Sequence, residues 1–232
     1  MRIIAFDASA ELCTVALGDG TTWLERSERA GQRHSELLLP MIRELLTRER
    51  RSLGELDGIA FGAGPGSFTG LRIACGVAQG LALGAGLRVV GVCTLEAMAE
   101  AARQRLGATR VVAALDARMG EVYAAHYRHD GERWTAETEP AASKPGAVYV
   151  PPGRDWLGVG PGFAAYAELR SRLASALSAC RDDLLPSAAA VGALALPRFA
   201  AGGSVAASAA APLYLRNRVA LTVAERAAGM RL

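Results

Sequence analysis

Residues 3–17 read IIAFDASAELCTVAL, an apolar strand that ends at Asp7, a short turn and a second strand. The same order returns at residues 112–127, VAALDARMGEVYAAHY, where Asp116 aligns with Asp7. Chance similarity between two β-hairpins is one interpretation of this repeat. The other is a duplicated domain, each copy of which places a carboxylate at the end of its first strand.

The composition is typical of a folded chain with one large domain or two small ones. The sequence has 232 residues, of which 51% are hydrophobic, and a formal net charge of +3. This charge is too small to indicate nucleic-acid binding by itself. The four cysteines lack a C-x-x-C spacing, and Asp7 comes too early for a signal peptide. We therefore expect reduced cysteines and a cytoplasmic protein.

Hydrophobic periodicity predicts two blocks of strands and helices. In the first block we predict strands over 2–8, 12–18, 21–27, 57–61 and 87–92, and helices over 34–50, 67–84 and 95–105. In the second we predict strands over 110–116, 121–128, 132–138 and 156–159, and helices over 163–179 and 187–200. Two domains, 1–106 and 107–232, follow from this division, and whether the C-terminal tail packs on the first domain stays open.

A glycine-rich loop and a helix of small residues occupy residues 62–84, GAGPGSFTGLRIACGVAQGLALG. Ser67 is the expected N-cap of the helix. Gly76, Gly80 and Gly84 are four residues apart and share one helix face. Because a glycine inside a helix costs roughly 1 kcal/mol relative to alanine, the stripe predicts close packing of another element there. The helix is apolar nearly all round, which favours a second buried side, against a partner.

Several catalytic signatures are absent from the sequence. It contains no G-x-x-x-x-G-K-[ST] loop and no G-x-S-x-G nucleophile motif. The glycine loop also lacks the third glycine of a dinucleotide-binding fingerprint, and Pro65 removes a backbone donor. His126 and His129 have no metal-ligand pattern around them, so we expect both to be surface histidines.

Five motifs follow one another along the chain. They are DAS at residues 7–9, RHSE at 33–36 with LP at 39–40, GPGSFTGLR at 64–72, DARMGEVY at 116–123 and PLYLRN at 212–217. In this order and spacing they resemble the bacterial TsaB (YeaZ) family, over nearly the whole chain. The resemblance implies the actin-like ATPase (RNase H-like) fold, an α/β architecture of two related lobes with mixed sheets and a reduced second lobe.

The resemblance also implies a role in making threonylcarbamoyladenosine, next to the anticodon of tRNAs that read codons starting with A. In that family a larger paralogue, TsaD, performs the transfer, TsaB is its non-catalytic partner, and a small ATPase, TsaE, joins them. The catalytic paralogue binds a metal through H-x-x-x-H, whereas here His34 is followed four positions later by Leu38. We therefore expect no catalytic and no metal-binding residues, contact with tRNA through the complex, and no membrane association.

The two strand–turn–strand units form the first candidate site. In the superfamily the two strand–turn–strand units hold nucleotide phosphates, so Asp7, Ser9 and Asp116 are the nucleotide-binding candidates. No cofactor is required, and weak binding of ATP or ADP stays open. The alternative function is an independent ATP-dependent phosphotransferase of the same superfamily, in which both aspartates would hold metal–ATP.

The second candidate site is an interface formed by helices 34–50 and 67–84. It would bind the TsaD-like paralogue, or a second copy of the chain in a symmetric homodimer when the chain is alone. Its predicted residues are His34, Leu38, Met41, Ile42, Leu45, Arg72, Ile73, Gly76, Val77, Gly80, Leu81 and Gly84.

Overall fold

Two mixed β-sheets form the framework of the computed structural model, which describes residues 1–216. The strands of the first sheet are Ile3–Asp7 (β1), Leu12–Gly18 (β2), Trp23–Arg29 (β3), Gly58–Gly64 (β4) and Val89–Cys93 (β5). Those of the second are Arg110–Arg118 (β6), Glu121–His129 (β7), Trp134–Ala136 (β8), Ala141–Ser143 (β9), Trp156–Val159 (β10) and Leu177–Arg181 (β11). Within residues 1–216 the α-helices are His34–Arg48 (α1), Phe68–Ala85 (α2), Thr94–Leu106 (α3), Gly162–Ala165 (α4), Ala167–Leu173 (α5) and Ala188–Ala200 (α6).

The two sheets share one topology. The strand orders are β3-β2-β1-β4-β5 and β11-β10-β6-β7-β8, with β9 also paired to β7. In each sheet the first strand pairs antiparallel with the second and parallel with the next strand after a helical or loop connection. The sequence repeat is therefore a repeat of topology, and the predicted α/β fold with two related lobes is confirmed.

Two helices cross the boundary predicted at residue 106. α3 packs on β6 and β7, where its Leu95 and Met98 belong to the core of the second lobe. α6 packs on β1, β2 and β4, where Val191 and Ala195 join the core of the first lobe. α3 also packs on β4 and β5, so the two lobes share helices across residue 106, and the division into 1–106 and 107–232 stays a prediction. Residues 217–232 of the predicted tail lie outside the described residues.

The predicted helix over 163–179 is wrong in its last part. The chain forms two short helices, α4 and α5, and then the strand Leu177–Arg181, which pairs in parallel with β10. Strand pairing at the sheet edge overrides the helical propensity of this alanine-rich segment. In α1, Pro40 lies inside the helix and does not end it.

α2 packs on the first sheet with one side and is exposed at the surface of the first lobe on the other. It begins at the predicted N-cap, where the Ser67 hydroxyl accepts a hydrogen bond from the Gly70 N–H at 3.3 Å. Its inner side packs on β4 through Ala74, Ala78 and Ala82, which are buried. By length and composition alone, α2 meets the minimum for a membrane-spanning helix, a criterion that core helices also satisfy.

Candidate functional site

A cleft of about 760 Å³ separates the two strand–turn–strand units. This volume is within the range of about 300–1,000 Å³ that is usual for ligand sites. One wall consists of residues 9–11 and the start of α2, and the other of residues 115–119. The repeated hairpins therefore face each other, as the duplicated sequence pattern predicts.

Asp7 lies behind the wall of the cleft. Its side chain is fully buried, and its Oδ1 accepts hydrogen bonds from the Ser9 N–H at 2.8 Å and the Ser9 hydroxyl at 2.7 Å. Within residues 1–216, its Oδ2 is buried without a hydrogen-bond partner. Burial raises the pKa of this carboxyl, against the opposing effect of the two bonds from Ser9. In the first lobe Ser9 therefore lines the cleft and Asp7 lies behind it, and the nucleotide-binding role of both stays a prediction.

Asp116 lines the cleft from the second lobe. Its Oδ1 accepts hydrogen bonds from the Arg118 N–H at 2.7 Å and from the Tyr166 hydroxyl at 2.9 Å. Its Oδ2 lies 3.1 Å from the Arg118 guanidinium. The structure thus brings Ser9 and Asp116 to one cleft, with the Asp116 carboxylate already held by neighbouring donors.

The glycine-rich loop packs against the β1–β2 turn. The Ser67 N–H donates to the Ser9 carbonyl oxygen at 2.7 Å. A Cβ at Gly66 would lie 2.4 Å from the Ser9 carbonyl oxygen, and one at Gly70 would lie 1.9 Å from the Ala8 carbonyl oxygen. Only glycine permits such an approach between two backbones. The close contact predicted for this loop is therefore made with the chain's own turn.

The histidines and Ser67 all have structural partners in the described part of the chain. The Ser67 hydroxyl caps α2, and the His34 Nε2 lies 2.9 Å from the Ala10 carbonyl oxygen. His126, predicted to be on the surface, is buried, and its Nδ1 lies 2.9 Å from the Thr138 hydroxyl. Burial lowers the pKa of His126 to about 4. No group of three or more His, Cys, Asp or Glu side chains suited to a metal occurs within residues 1–216.

The outer face of α2 is the second candidate site. Gly76, Gly80 and Gly84 are exposed, and a Cβ at any of them would meet no atom of the part of the chain that the structure describes within 4 Å. Leu83 on the same face is 80% exposed. Arg72, also exposed, begins this face one turn before Gly76. Three half-buried apolar side chains border the stripe: Ile73, Val77 and Leu81. The glycine stripe therefore points away from the lobe and forms a shallow apolar surface.

The predicted contact residues of α1 lie on its inward side. Its five predicted contact residues are each 7% exposed or less and lie in the first core: His34, Leu38, Met41, Ile42 and Leu45. They form the apolar stripe by which α1 packs on its own lobe, and their contact with a partner stays a prediction. Leu39, which is 48% exposed, is the large apolar side chain that α1 presents at the surface.

Two lobes of equal topology around a shared cleft define a protein of the actin-like class. A family model described as TsaD, tRNA N6-adenosine threonylcarbamoyltransferase, matches residues 27–224. The chain belongs to the family that this model describes and, within it, to the TsaB (YeaZ) proteins.

Individual relatives support this assignment over nearly the full chain. The tRNA threonylcarbamoyladenosine biosynthesis protein TsaB of Escherichia coli K12 is 44% identical over 226 residues, covering 95% of this chain and 96% of the relative. The protein of the same name from Haemophilus influenzae is 36% identical over 231 residues, covering 94% and 95%. A crystal structure from Pseudomonas aeruginosa, described as an uncharacterized protein with similarity to peptidase YEAZ, is 39% identical with a TM-score of 0.86 and covers 93% and 99%.

Proposed function

We propose that this chain is a non-catalytic subunit that supports a TsaD-like catalytic paralogue in the synthesis of threonylcarbamoyladenosine in tRNA. Its relatives carry the name of that biosynthetic process, and the matching family model carries the name of the transferase. The observation on which the proposal rests is the outer face of α2. Its open glycine stripe and exposed Leu83 form a surface on which a helix of another chain can pack at short axial distance.

The chemistry of the cleft supports a non-catalytic role. Asp7 is buried behind the wall, and Asp116 is held by Arg118 and Tyr166. Ser67 serves as a helix cap, and within residues 1–216 its hydroxyl has no hydrogen bond to the base that a nucleophilic serine needs. These placements favour a subunit that contributes surface to a complex and leaves the transfer to its partner.

The same α2 face defines the proposed assembly. We propose that it pairs with the corresponding helix of the TsaD-like paralogue, and that the isolated chain uses it in a symmetric homodimer. A TsaE-like ATPase would join this pair, and tRNA would be contacted through the complex in the cytoplasm. No cofactor is required for this role.

Weak binding of ATP or ADP would be located in the cleft. Ser9 and Asp116 line it, together with Arg118 and Arg216, each of which is paired with a carboxylate. Tight magnesium–ATP binding by the chain alone would instead favour the phosphotransferase, and isothermal calorimetry distinguishes the two cases.

Light scattering on a sizing column tests the proposed assembly. The chain is mixed with the TsaD-like paralogue of its own organism, as wild type and as Gly80→Leu. We expect a heterodimer with the wild type and at least a tenfold weaker complex with Gly80→Leu, because the leucine separates the two helices. Ser171→Leu, which adds the same side chain at an exposed position of α5 in the second lobe, is the matched control and should bind like the wild type.

The stability of each variant makes the outcome interpretable. A wild-type chain that forms no complex would contradict the proposal. So would a Gly80→Leu variant that loses folding, measured by thermal unfolding, to the same extent as it loses binding.

A further inference from the structure

The chain crosses the first lobe after α6 in residues 205–216, which contain one 3-10 turn at Ala207–Ala209 and which we name the strap. Val205 pairs with Val89 of β5 through two backbone hydrogen bonds of 2.8 and 3.0 Å. Further along, the Gln79 side-chain amide of α2 donates to the Ala210 carbonyl oxygen at 2.9 Å. The strap is therefore attached along the flank of α2 that adjoins the glycine stripe.

The strap next contacts the first turns of α2. The Tyr214 ring lies 5.7 Å from the Phe68 ring, and the Arg72 Nε donates to the Tyr214 hydroxyl at 3.1 Å. The Arg72 guanidinium in turn lies 3.9 Å from the centre of the Phe68 ring. Since Arg72 precedes Gly76 by four residues, Tyr214 holds the side chain that begins the exposed face of α2.

The strap then reaches the second lobe. Arg216 forms an ion pair with Glu121, at the start of β7, and its guanidinium lies 3.4 Å from the Met119 sulfur. The side chains of Arg216 and Glu121 are only 15% and 28% exposed. Salt screens a partly buried pair less than one at an open surface. A continuous set of contacts thus leads from the second lobe through the strap to α2.

We propose that the strap couples the relative position of the two lobes to the first turns of α2, and so regulates the partner-binding face. Movement of the second lobe carries Glu121 with it, and through Arg216 and Tyr214 changes the restraint on Arg72. The regulatory part of this inference rests on the proposed function, whereas the mechanical coupling does not.

Hydrogen exchange with mass spectrometry tests the coupling on the full chain without a partner. We expect Glu121→Gln, which removes the anchor in the second lobe, to raise exchange at least threefold in residues 68–76 and in the strap. Glu137→Gln is the matched control, because its carboxylate pairs with Arg128 within the second lobe at 2.7 Å. It should leave exchange in α2 at the wild-type level.

Two further variants locate the link. Tyr214→Phe retains the ring and removes only the hydroxyl that accepts from Arg72, and it should raise exchange in residues 68–76 while the Arg216 anchor stays intact. Combining Glu121→Arg with Arg216→Glu should return hydrogen exchange in residues 68–76 and in the strap to the wild-type level. The coupling is refuted if Glu121→Gln changes the strap alone, or if Glu137→Gln has the same effect on α2.

Association measurements then decide the regulatory part. We expect Glu121→Gln to weaken binding to the TsaD-like paralogue at least threefold, while Glu137→Gln binds like the wild type. Unchanged binding together with raised exchange would overturn the regulation and keep the coupling. Absence of binding by the wild type would overturn the proposed function and the regulation together, and the exchange result would still decide the coupling.

Discussion

Gly62 lies so close to the buried carboxylate of Asp7 that a Cβ at Gly62 would be 1.7 Å from the Asp7 Oδ2. The two residues are on the neighbouring strands β4 and β1, at the centre of the first sheet. The missing side chain at Gly62 is therefore what makes room for the carboxylate. Packing, more than backbone flexibility, explains this glycine.

Gly62→Ala should destabilise the protein, because the new methyl group overlaps a buried polar atom. Overpacking of this kind costs about 1–3 kcal/mol. Gly76→Ala is the matched control on α2, where a Cβ meets none of residues 1–216 within 4 Å. It should raise the free energy of unfolding by about 0.5–1 kcal/mol, because alanine is the better helix former. Urea unfolding measures both, and equal effects of the two substitutions would contradict the packing argument.

Asp7→Asn should change how stability depends on pH. Burial raises the pKa of Asp7 in the folded state, so its ionisation opposes folding as the pH rises through that raised pKa. The variant lacks this titration. Its free energy of unfolding should therefore rise relative to that of the wild type as the pH increases from acid to neutral. Chemical unfolding at a series of pH values measures the difference. A difference that stays constant with pH would show that Asp7 titrates as it does in the unfolded chain.

His126 should make the second lobe sensitive to acid. Burial lowers its pKa from 6.5 to about 4, so the stability that the neutral ring provides is lost as the pH falls from about 6.5 through 4. The shift corresponds to a loss of about 3 kcal/mol, which His126→Gln should largely remove. The fluorescence of Trp156, whose ring centre lies 6.0 Å from that of His126, reports local opening. Identical acid transitions in the variant and the wild type would refute this assignment.

Leu83→Lys should affect association and leave folding intact. Leu83 is 80% exposed, so its replacement should change the free energy of unfolding by no more than about 0.5 kcal/mol. A charge on the outer face of α2 should nevertheless weaken homodimer formation, because it would be buried at the contact. Analytical ultracentrifugation provides the dissociation constant. Loss of stability with unchanged association would place Leu83 in an intramolecular role.

Much of the secondary structure could be predicted because it depends on local pattern. The apolar strand before Asp7 and its repeat before Asp116 identified the two hairpins, and Ser67 identified the start of α2. The segment 177–181 could not be predicted, because its pairing partner β10 is distant in sequence. Long-range pairing of this kind leaves no periodic signal within the segment itself.

For the candidate sites too, local pattern predicted part of the arrangement and tertiary packing decided the rest. The spacing of Gly76, Gly80 and Gly84 was enough to place them on one face, but periodicity alone does not say which face of a helix meets its own sheet. In α1 the predicted interface residues proved to be the inward stripe, and in α2 the glycines proved to face outward. Leu83, a large apolar residue on the glycine side of α2, was the sequence signal that this side forms an apolar surface.

The sequence by itself determined the duplicated hairpins, the helix cap and the family, since each depends on residue order over short distances. Only the tertiary structure decided that Asp7 lies behind the cleft wall, that α3 and α6 pack across the predicted boundary between the lobes, and that the strap connects Glu121 to Arg72. These features depend on which distant segments pack together. That choice is made by the burial of apolar surface over the whole molecule, which no local pattern records.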